Sequence, residues 1–271
     1  ICAVTGFRAP TIDVALPLGI SFYTFQIMSY IIDVYRKKYP AGRNLVEVAA
    51  YISMFPQLIA GPIVTFDEVQ PRLKERKISP ANIENGLLLF VAGLVYKVML
   101  ANQIAALWND VMVSGVMGIN TATAWLGAWG YSMQIYFDFL GYSLMAIGMG
   151  YMLGFRFPKN FSNPYCAVSV TDFWRRWHIT LGRWFREYVY IPLGGNKKGQ
   201  FRLVINTFIV WFLTGLWHGA AWNFIIWGMF FFILMMLEKF IYLRFLEKHP
   251  IIGHLYMLII IPVSWVIFNI S

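Results

Sequence analysis

The stretch Leu203–Leu237, LVINTFIVWFLTGLWHGAAWNFIIWGMFFFILMML, runs for 35 residues without an Asp, Glu, Lys or Arg. As a single helix it would be roughly 50 Å long, against a hydrocarbon core of about 30 Å. The run must therefore break, and Gly215–Asn223 is its only polar, glycine-rich segment. We expect two membrane helices that join there, with His218 at the join.

The composition indicates a polytopic helical membrane protein. Hydrophobic residues make up 59% of the 271 residues and charged residues only 13%, whereas about 25% of a soluble domain is charged. Several further uncharged runs approach or reach spanning length. These runs are Leu16–Ile32, Val48–Phe66, Val98–Asn109, Val111–Phe137, Phe139–Phe155 and Ile251–Ser271.

Basic residues give the chain a net charge of +9, and they cluster beside the uncharged runs, at 36–43, 72–77 and 197–202. Such clusters are typical of cytoplasmic loops and attract anionic headgroups, so they predict contact with a lipid bilayer and not with nucleic acid. Cys2 and Cys166 are too few for a disulfide framework and lack metal-ligand spacing. Because the chain opens on Ile1 and stops inside an apolar run, we expect a fragment missing both ends, forming one membrane domain over 1–271.

Proline and glycine predict a break in the Val48–Phe66 run, which contains Pro56, Gly61 and Pro62. Proline removes a backbone donor, and a break inside a membrane is tolerated only where protein packs around it or it lines a cavity. We expect a broken or re-entrant element here, with Gln57 facing inward. The runs on either side predict simple spans at Leu16–Tyr35 and Gly86–Trp108, the second preceded by a helix start at Ser79-Pro80.

Charged residues inside or beside the apolar runs leave alternatives open. Ala122–Phe155 is too long for one span, which predicts a break near Asp138–Gly141. Asp138 then either pairs with a base such as Lys97 inside the bundle or marks a helix end. Asp33 and Glu238 stand at span edges, where we expect them to face water.

Asp172–Tyr188 has the pattern of an amphipathic helix, with a plausible cap at Ser169. Its aromatic residues occupy one face and its arginines the other, which predicts a helix lying flat at the headgroup level. His178 falls at the boundary of the two faces, so it is either an interfacial residue or a functional one. The arginines of the polar face are expected to bind either lipid headgroups or the phosphates of a donor; they are Arg175, Arg176, Arg183 and Arg186.

His218 is the strongest site candidate, because an ionisable residue in an apolar run is a functional-site hypothesis by default. Burial disfavours the charged imidazole, so we expect a neutral ring able to accept a proton. The alternative is a histidine hydrogen-bonded between helices for structural reasons. His249 and His254 flank a proline between spans and are expected to be solvated.

Four blocks of this sequence resemble the membrane-bound O-acyltransferase (MBOAT) family, and most of all its alginate O-acetyltransferase branch. They are LPLGISFYTFQ at 16–26, FPQLIAGP at 55–62, DFWRRWHITL with WFREYVYIPLGGN at 172–196, and GLWHGAAWN at 215–223. Three residues depart from the family pattern: Leu140 and Leu144 replace Ser and Asp, and Gly182 replaces a small polar residue.

The resemblance implies a many-helix fold with a tunnel through the membrane, in which His218 matches the catalytic histidine and His178 its upstream polar partner. It implies transfer of an acetyl group from a cytoplasmic thioester such as acetyl-CoA, with no tightly bound cofactor. The implied acceptor is an alginate-like exopolysaccharide or peptidoglycan, reached with an extracytoplasmic partner acyltransferase. The implied location is the cytoplasmic (inner) membrane.

The mechanistic hypothesis is general-base acyl transfer by neutral His218. Candidate oxyanion donors are Asn223, the indoles of Trp217 and Trp222, or His178, and Asp138 is a further candidate for substrate contact. Arg175 and Arg176 are assigned to the phosphates of the donor. Two alternatives remain: D-alanyl transfer to teichoic acid, and a transporter of polysaccharide or a lipid-linked precursor that uses broken helices.

Overall fold

The computed structural model describes residues 19–42, 44–58 and 61–270. Within these ranges the chain is helical, with no strand. Cys2 and the first residues of the predicted Leu16–Tyr35 span lie outside them. We number the helices α1 (Ile20–Tyr35), α2 (Leu45–Ile52), α3 (Phe55–Leu58), α4 (Phe66–Lys74), α5 (Pro80–Val95), α6 (Asn102–Gly118), α7 (Thr121–Met152), α8 (Val170–Arg176), α9 (Ile179–Phe185), α10 (Gly199–His218), α11 (Trp222–Leu237), α12 (Leu243–Lys248) and α13 (Pro250–Asn269).

Three π-helical turns extend these helices. They lie at Tyr96–Ala101 between α5 and α6, at Arg186–Tyr190 after α9, and at Glu238–Tyr242 between α11 and α12. Such turns are rare and are frequently found at functional sites. Two of the three carry charged residues that line or support the site described below, namely Arg186, and Glu238 with Lys239.

Four helical stretches in the described part of the chain are long and apolar enough to cross a membrane. They are Pro80–Gly115, Gly199–His218, Trp222–Lys248 and Pro250–Asn269. The sequence-based prediction of an all-α, multi-pass membrane protein is therefore confirmed.

The break predicted in the Leu203–Leu237 run is confirmed. Helix α10 ends at His218, residues 219–221 are non-helical, and α11 begins at Trp222. The two helices then pack against each other, with Trp211 of α10 and Phe231 of α11 stacked at 5.4 Å between ring centroids. His218 therefore stands at the tip of a helical hairpin.

The Val48–Phe66 run is also broken, as predicted. Helix α2 ends at Ile52, and the four-residue α3 follows. Gln57 is fully buried and donates from its Nε2 to the Tyr51 carbonyl, 3.1 Å away. It faces inward, as the sequence indicates.

The predicted break near Asp138–Gly141 is wrong, because α7 continues without interruption through 32 residues. Asp138 lies within this helix and forms an ion pair with Lys97 of the preceding π turn, so its charge requires no helix end. Gly141 packs backbone to backbone against Gly93 of α5, where a Cβ on Gly93 would come within 2.5 Å of the Gly141 carbonyl oxygen. The glycine therefore serves a close helix crossing and not a break.

The single interfacial helix predicted over Asp172–Tyr188 is also wrong. Two short helices, α8 and α9, replace it, and the chain turns between them at Trp177 and His178. The aromatic face packs into the protein and not into lipid. Phe173, Trp177, Leu181, Trp184, Phe185 and Tyr188 are all buried. An aromatic stripe has the same spacing whether lipid or protein covers it, which is why the pattern misled.

Asp33 and Glu238 are buried and do not face water, in contrast to the sequence-based expectation. Asp33 accepts from the Tyr188 hydroxyl at 2.8 Å and from Lys38 Nζ at 3.2 Å. Glu238 accepts from the backbone N–H groups of Val170 and Thr171, at 2.5 and 2.9 Å. Both carboxylates therefore hold the α8–α9 region against the neighbouring helices.

The two ends of the helical bundle differ in charge. His218, at the tip of the α10–α11 hairpin, contacts Phe268 near the end of α13, and Asn269 bonds to Tyr131 early in α7. These tips form what we call the base-free end, since no Lys or Arg occurs between Lys97 and Arg156 or between Arg202 and Lys239. The opposite, basic end carries the connections rich in Arg and Lys.

Candidate active site

His178 stands at the break between α8 and α9 with a left-handed backbone, at φ 45° and ψ 52°. This conformation is uncommon for a residue with a side chain and costs roughly 1–3 kcal/mol, and such strain clusters at functional sites. The side chain is 3% exposed. Burial lowers the pKa of His178 to about 3, so the ring is neutral.

Asn160 holds the His178 ring from the loop that follows α7. Its Oδ1 lies 3.1 Å from His178 Nδ1 and also accepts from the Thr180 hydroxyl at 2.9 Å. Its Nδ2 donates to Ser143 Oγ of α7, and its backbone carbonyl accepts from Ile179 N–H. Asn160 therefore ties the break at His178 to α7 and to the start of α9.

A cavity of about 360 Å³ extends from the basic end to His178. Its walls come from α8, α9, α10 and α11, and apolar side chains such as Trp174 and Leu181 form most of the lining. Three cations line it as well: Arg175, Arg186 and Lys239. No Asp or Glu lines it among the described residues, so the cavity favours an elongated ligand with an anionic part and an apolar part.

His218 has different surroundings. The residue is partly exposed, and its ring packs against four aromatic rings, those of Trp217, Phe224, Trp227 and Phe268. Neither ring nitrogen has a hydrogen-bond partner among the described residues. The imidazole is therefore held by packing, and both nitrogens remain available.

Trp217 lies between the two histidines. The centroid of its indole is 6.4 Å from that of His178 and 4.6 Å from that of His218. Its Nε1 is buried, and no described residue accepts from it. The same holds for Nε1 of Trp174, in the cavity wall, and of Trp227, beside His218. Buried donors without partners are rare, and this group could serve an oxygen-bearing ligand or water.

The structure brings some of the other sequence-predicted site residues to this place and leaves others elsewhere. Arg175 lines the cavity, whereas Arg176 pairs with Asp172 one turn earlier. Asn223 is near His218, but its Nδ2 donates to the Phe268 carbonyl at 2.7 Å. Trp222 is 76% exposed. Asp138 is engaged by Lys97 of the π turn after α5, and neither residue lines the cavity.

Sequence reasoning missed Asn160, Lys239 and Glu238 as parts or supports of the site. Asn160 lies 18 positions before His178 in a loop, where no local periodicity connects the two. Lys239 was readable only as a charge at a helix end, whereas Arg186 was among the arginines that the sequence suggested for phosphates. The π turns that carry Arg186 and Lys239 have no recognised sequence signature in this chain.

Comparison with known proteins gives the family. The model of the membrane-bound O-acyltransferase family matches residues 40–270. The chain is 43% identical over 94% of its length to a probable alginate O-acetylase of Pseudomonas putida, of which it covers 53%. It is 38% identical over 84% of its length to a peptidoglycan O-acetyltransferase of Helicobacter pylori, covering 48% of that protein.

A more distant relative is a teichoic acid D-alanyltransferase of Bacillus subtilis, which is 30% identical over 82% of the chain. The chain covers 59% of that protein. The chain thus spans about half the length of the curated relatives that it matches. The family match extends over both histidine-bearing breaks and the helices that carry them. This chain belongs to the membrane-bound O-acyltransferase family.

Proposed function

We propose that this chain forms the catalytic core of a membrane O-acetyltransferase, in which His218 is the general base. It would transfer an acetyl group from a cytoplasmic thioester to a hydroxyl of an extracytoplasmic polysaccharide. The observation that carries the proposal is the placement of the two histidines. One closes a cation-lined cavity that leads from the basic end, the other stands near the base-free end, and a single indole lies between them.

The charge difference between the two ends supports the orientation. Cytoplasmic loops are enriched in Lys and Arg, and the short connections at 119–120 and 219–221 contain neither. The basic end would therefore face the cytoplasm, and His218 would lie nearer to the extracytoplasmic side. In a bacterial cell this corresponds to the cytoplasmic membrane.

The cavity supports the thioester donor. Its apolar walls suit a thiol-bearing arm, and Arg175, Arg186 and Lys239 suit the phosphates of a donor such as acetyl-CoA. Arg176, which the sequence also suggested for the phosphates, is engaged by Asp172 and has no part in this proposal. The thioester carbon would then lie near Trp217.

The proposed reaction balances without a metal or a redox step. His218 takes the proton of the acceptor hydroxyl while that oxygen attacks the thioester carbonyl carbon. The Trp217 N–H donates to the oxyanion of the tetrahedral intermediate. The carbon–sulfur bond then breaks, and the thiolate leaves with the proton that the imidazolium returns. The products are an acetyl ester and a free thiol.

Acetyl is proposed over D-alanyl because of the comparisons. The chain is 43% identical over the aligned 257 residues to a probable alginate O-acetylase and 30% identical over 240 residues to a teichoic acid D-alanyltransferase. An extracytoplasmic partner acyltransferase is part of the proposal only through this family membership.

The test uses the full-length protein in proteoliposomes, with labelled acetyl-CoA on the basic side and acceptor polysaccharide on the other. We expect ester-linked label on the polysaccharide with an equal release of free thiol. His218→Ala should lose both signals. The matched control is His254→Ala, because His254 is exposed on α13, and this variant should retain both.

Three outcomes would contradict the proposal. Ester formation by His218→Ala at the wild-type rate would show that His218 is not the general base. Movement of polysaccharide across the bilayer without ester formation would indicate a transporter. Label transfer from a D-alanyl carrier thioester, with none from acetyl-CoA, would assign the other donor class.

A further inference from the structure

The hydrogen bonds around His178 indicate which of its ring nitrogens is protonated. His178 has two ring nitrogens, and only one carries hydrogen in the neutral ring. Nδ1 lies 3.1 Å from Asn160 Oδ1, while Nε2 is buried with no partner among the described residues. Which nitrogen is protonated decides whether the ring offers the cavity a donor or an acceptor.

The orientation of the Asn160 amide settles this question. Amide oxygen and nitrogen are assigned from their hydrogen-bond network. The backbone N–H of Ile63 donates to Thr180 Oγ1 at 3.0 Å, so the Thr180 hydroxyl hydrogen is free to donate onward. It donates to Asn160 at 2.9 Å, and the backbone N–H of Thr180 points to the same atom at 3.4 Å. The atom that receives both must be the oxygen.

The other side of the amide agrees with that assignment. Asn160 Nδ2 lies 3.1 Å from Ser143 Oγ, and a hydroxyl oxygen can accept from it. Asn160 is 1% exposed, so its amide is bonded within the protein. The oxygen that faces His178 can only accept, and Nδ1 must therefore carry the hydrogen.

We propose that Asn160 is a positioning residue that fixes His178 as the Nδ1–H tautomer. Nε2 of His178, whose side chain lines the cavity, is then left as a hydrogen-bond acceptor. Thr180 and the Ile63 backbone orient Asn160 for this purpose. The proposal rests on the proposed function only in assigning the cavity to the acyl donor. The tautomer itself follows from the network.

The acceptor has two consequences for the reaction. A neutral His178 has no hydrogen on Nε2 and cannot donate to an oxyanion, so Trp217 is left as the donor between the histidines. Nε2 can instead accept a hydrogen bond from an N–H group of the acyl donor, such as an amide in the thiol-bearing arm of a thioester. The surroundings of His178 are compatible with a neutral ring. The rings of Phe22 and Phe139 pack against it, and His218 is the neighbouring titratable group. The cations Arg175, Arg186 and Lys239 line the same cavity.

The test measures the tautomer directly by nitrogen-15 NMR of histidine-labelled full-length protein in bilayers. The described part of the chain has four histidines, and a His178→Gln sample assigns the signal. We expect a protonated Nδ1 and an unprotonated Nε2, unchanged between pH 8 and about pH 5, well above the lowered pKa of His178. An Nε2–H signal, or averaging of the two tautomers, would overturn the proposal.

Three variants test the role of the network. Asn160→Asp places a carboxylate beside Nδ1–H, which should raise the pKa of His178 by roughly 1–3 units. The acid limb of kcat/KM should move to higher pH accordingly. Thr180→Val should mix the tautomers, whereas Thr180→Ser should preserve the wild-type signal. An unchanged titration in Asn160→Asp would overturn the proposal.

Ser143→Ala is the matched control, because it removes a partner of Asn160 Nδ2 and leaves the Oδ1 side intact. It should keep the wild-type tautomer, and a tautomer change in this variant would contradict the assignment. Melting temperatures exclude variants that do not fold. The readout needs no turnover: a correct tautomer in a protein that does not transfer acetyl refutes the proposed function alone. A wrong tautomer in an active protein refutes this inference alone.

Discussion

His178 and His218 both stand where a helix ends, but the two breaks hold their imidazoles by different means. At His178 a network of polar groups fixes one ring nitrogen through Asn160 and Thr180, and the side chain is 3% exposed. At His218 aromatic rings pack around the imidazole, no described residue forms a hydrogen bond with it, and the residue is partly exposed.

The difference matters for proton transfer. A ring held by hydrogen bonds keeps one tautomer and one orientation, which suits the binding of a substrate group. A ring held by packing alone can gain and lose a proton on either nitrogen without breaking a bond to the protein. We therefore propose that His178 positions a substrate group and that His218 transfers the proton.

The largest expected effect is the loss of kcat when His218 is removed, and chemical rescue with imidazole should distinguish His218 from His178. His218→Ala should lower kcat by about 10²–10⁴-fold, the typical contribution of a positioned base. Because His218 is partly exposed, added imidazole should restore part of the rate. His178→Ala should not respond to imidazole, since His178 is buried. Steady-state rates with and without imidazole decide this, and rescue at His178 but not at His218 would reverse the assignment.

The next effect concerns the indole between the two breaks. Trp217→Phe keeps an aromatic ring but removes the N–H, and loss of one oxyanion donor typically lowers kcat by about 10²-fold. KM should change little, because the bond forms only in the transition state. Trp222→Phe is the control, since Trp222 is 76% exposed. An unchanged kcat in Trp217→Phe would show that this indole does not stabilise the oxyanion.

A third prediction compares how tightly the breaks are packed. A Cβ on Gly215, beside the His218 break, would come within 2.5 Å of the Phe224 carbonyl, whereas one on Gly182, beside the His178 break, would meet nothing nearer than 3.9 Å. Gly215→Ala should therefore lower the free energy of unfolding by about 1–3 kcal/mol. Gly182→Ala should leave it within about 0.5 kcal/mol or raise it slightly. Thermal unfolding in detergent checks both variants. Equal melting temperatures for Gly215→Ala and Gly182→Ala would contradict the tighter packing at Gly215.

The smallest effect lies at the cavity that leads to His178. Arg186→Ala removes one of the three lining cations and should raise KM for acetyl-CoA about tenfold, the loss of one charged hydrogen bond. The KM for acetyl-pantetheine, which lacks the nucleotide phosphates, should not change. Equal increases for both donors would mean that Arg186 does not contact phosphate.

The sequence was sufficient for the features that depend on length and polarity. The 35-residue uncharged run had to break, and the break lies where Gly215–Asn223 predicts it. The proline-rich interruption after α2 and the burial of Gln57 followed from the same reasoning. Asp138 was left open between two alternatives, and its pairing with Lys97 decides between them.

Features that depend on what packs against a residue could not be predicted. The α7 helix continues through Asp138 because a base on a neighbouring segment neutralises it. The aromatic stripe of α8 and α9 is covered by protein, although its spacing fits lipid equally well. Glu238 caps the first N–H groups of α8 from a π turn 67 residues away, and Asn160 reaches His178 from a loop. No local pattern encodes such contacts.

The most direct test of the two-histidine account is a structure of the full-length protein with a non-hydrolysable thioether analogue of acetyl-CoA. We expect the nucleotide phosphates at Arg175, Arg186 and Lys239, and the carbon that stands for the thioester carbonyl beside Trp217, within reach of His218. An analogue bound at another cavity, or one whose reacting carbon lies away from Trp217 and His218, would contradict it.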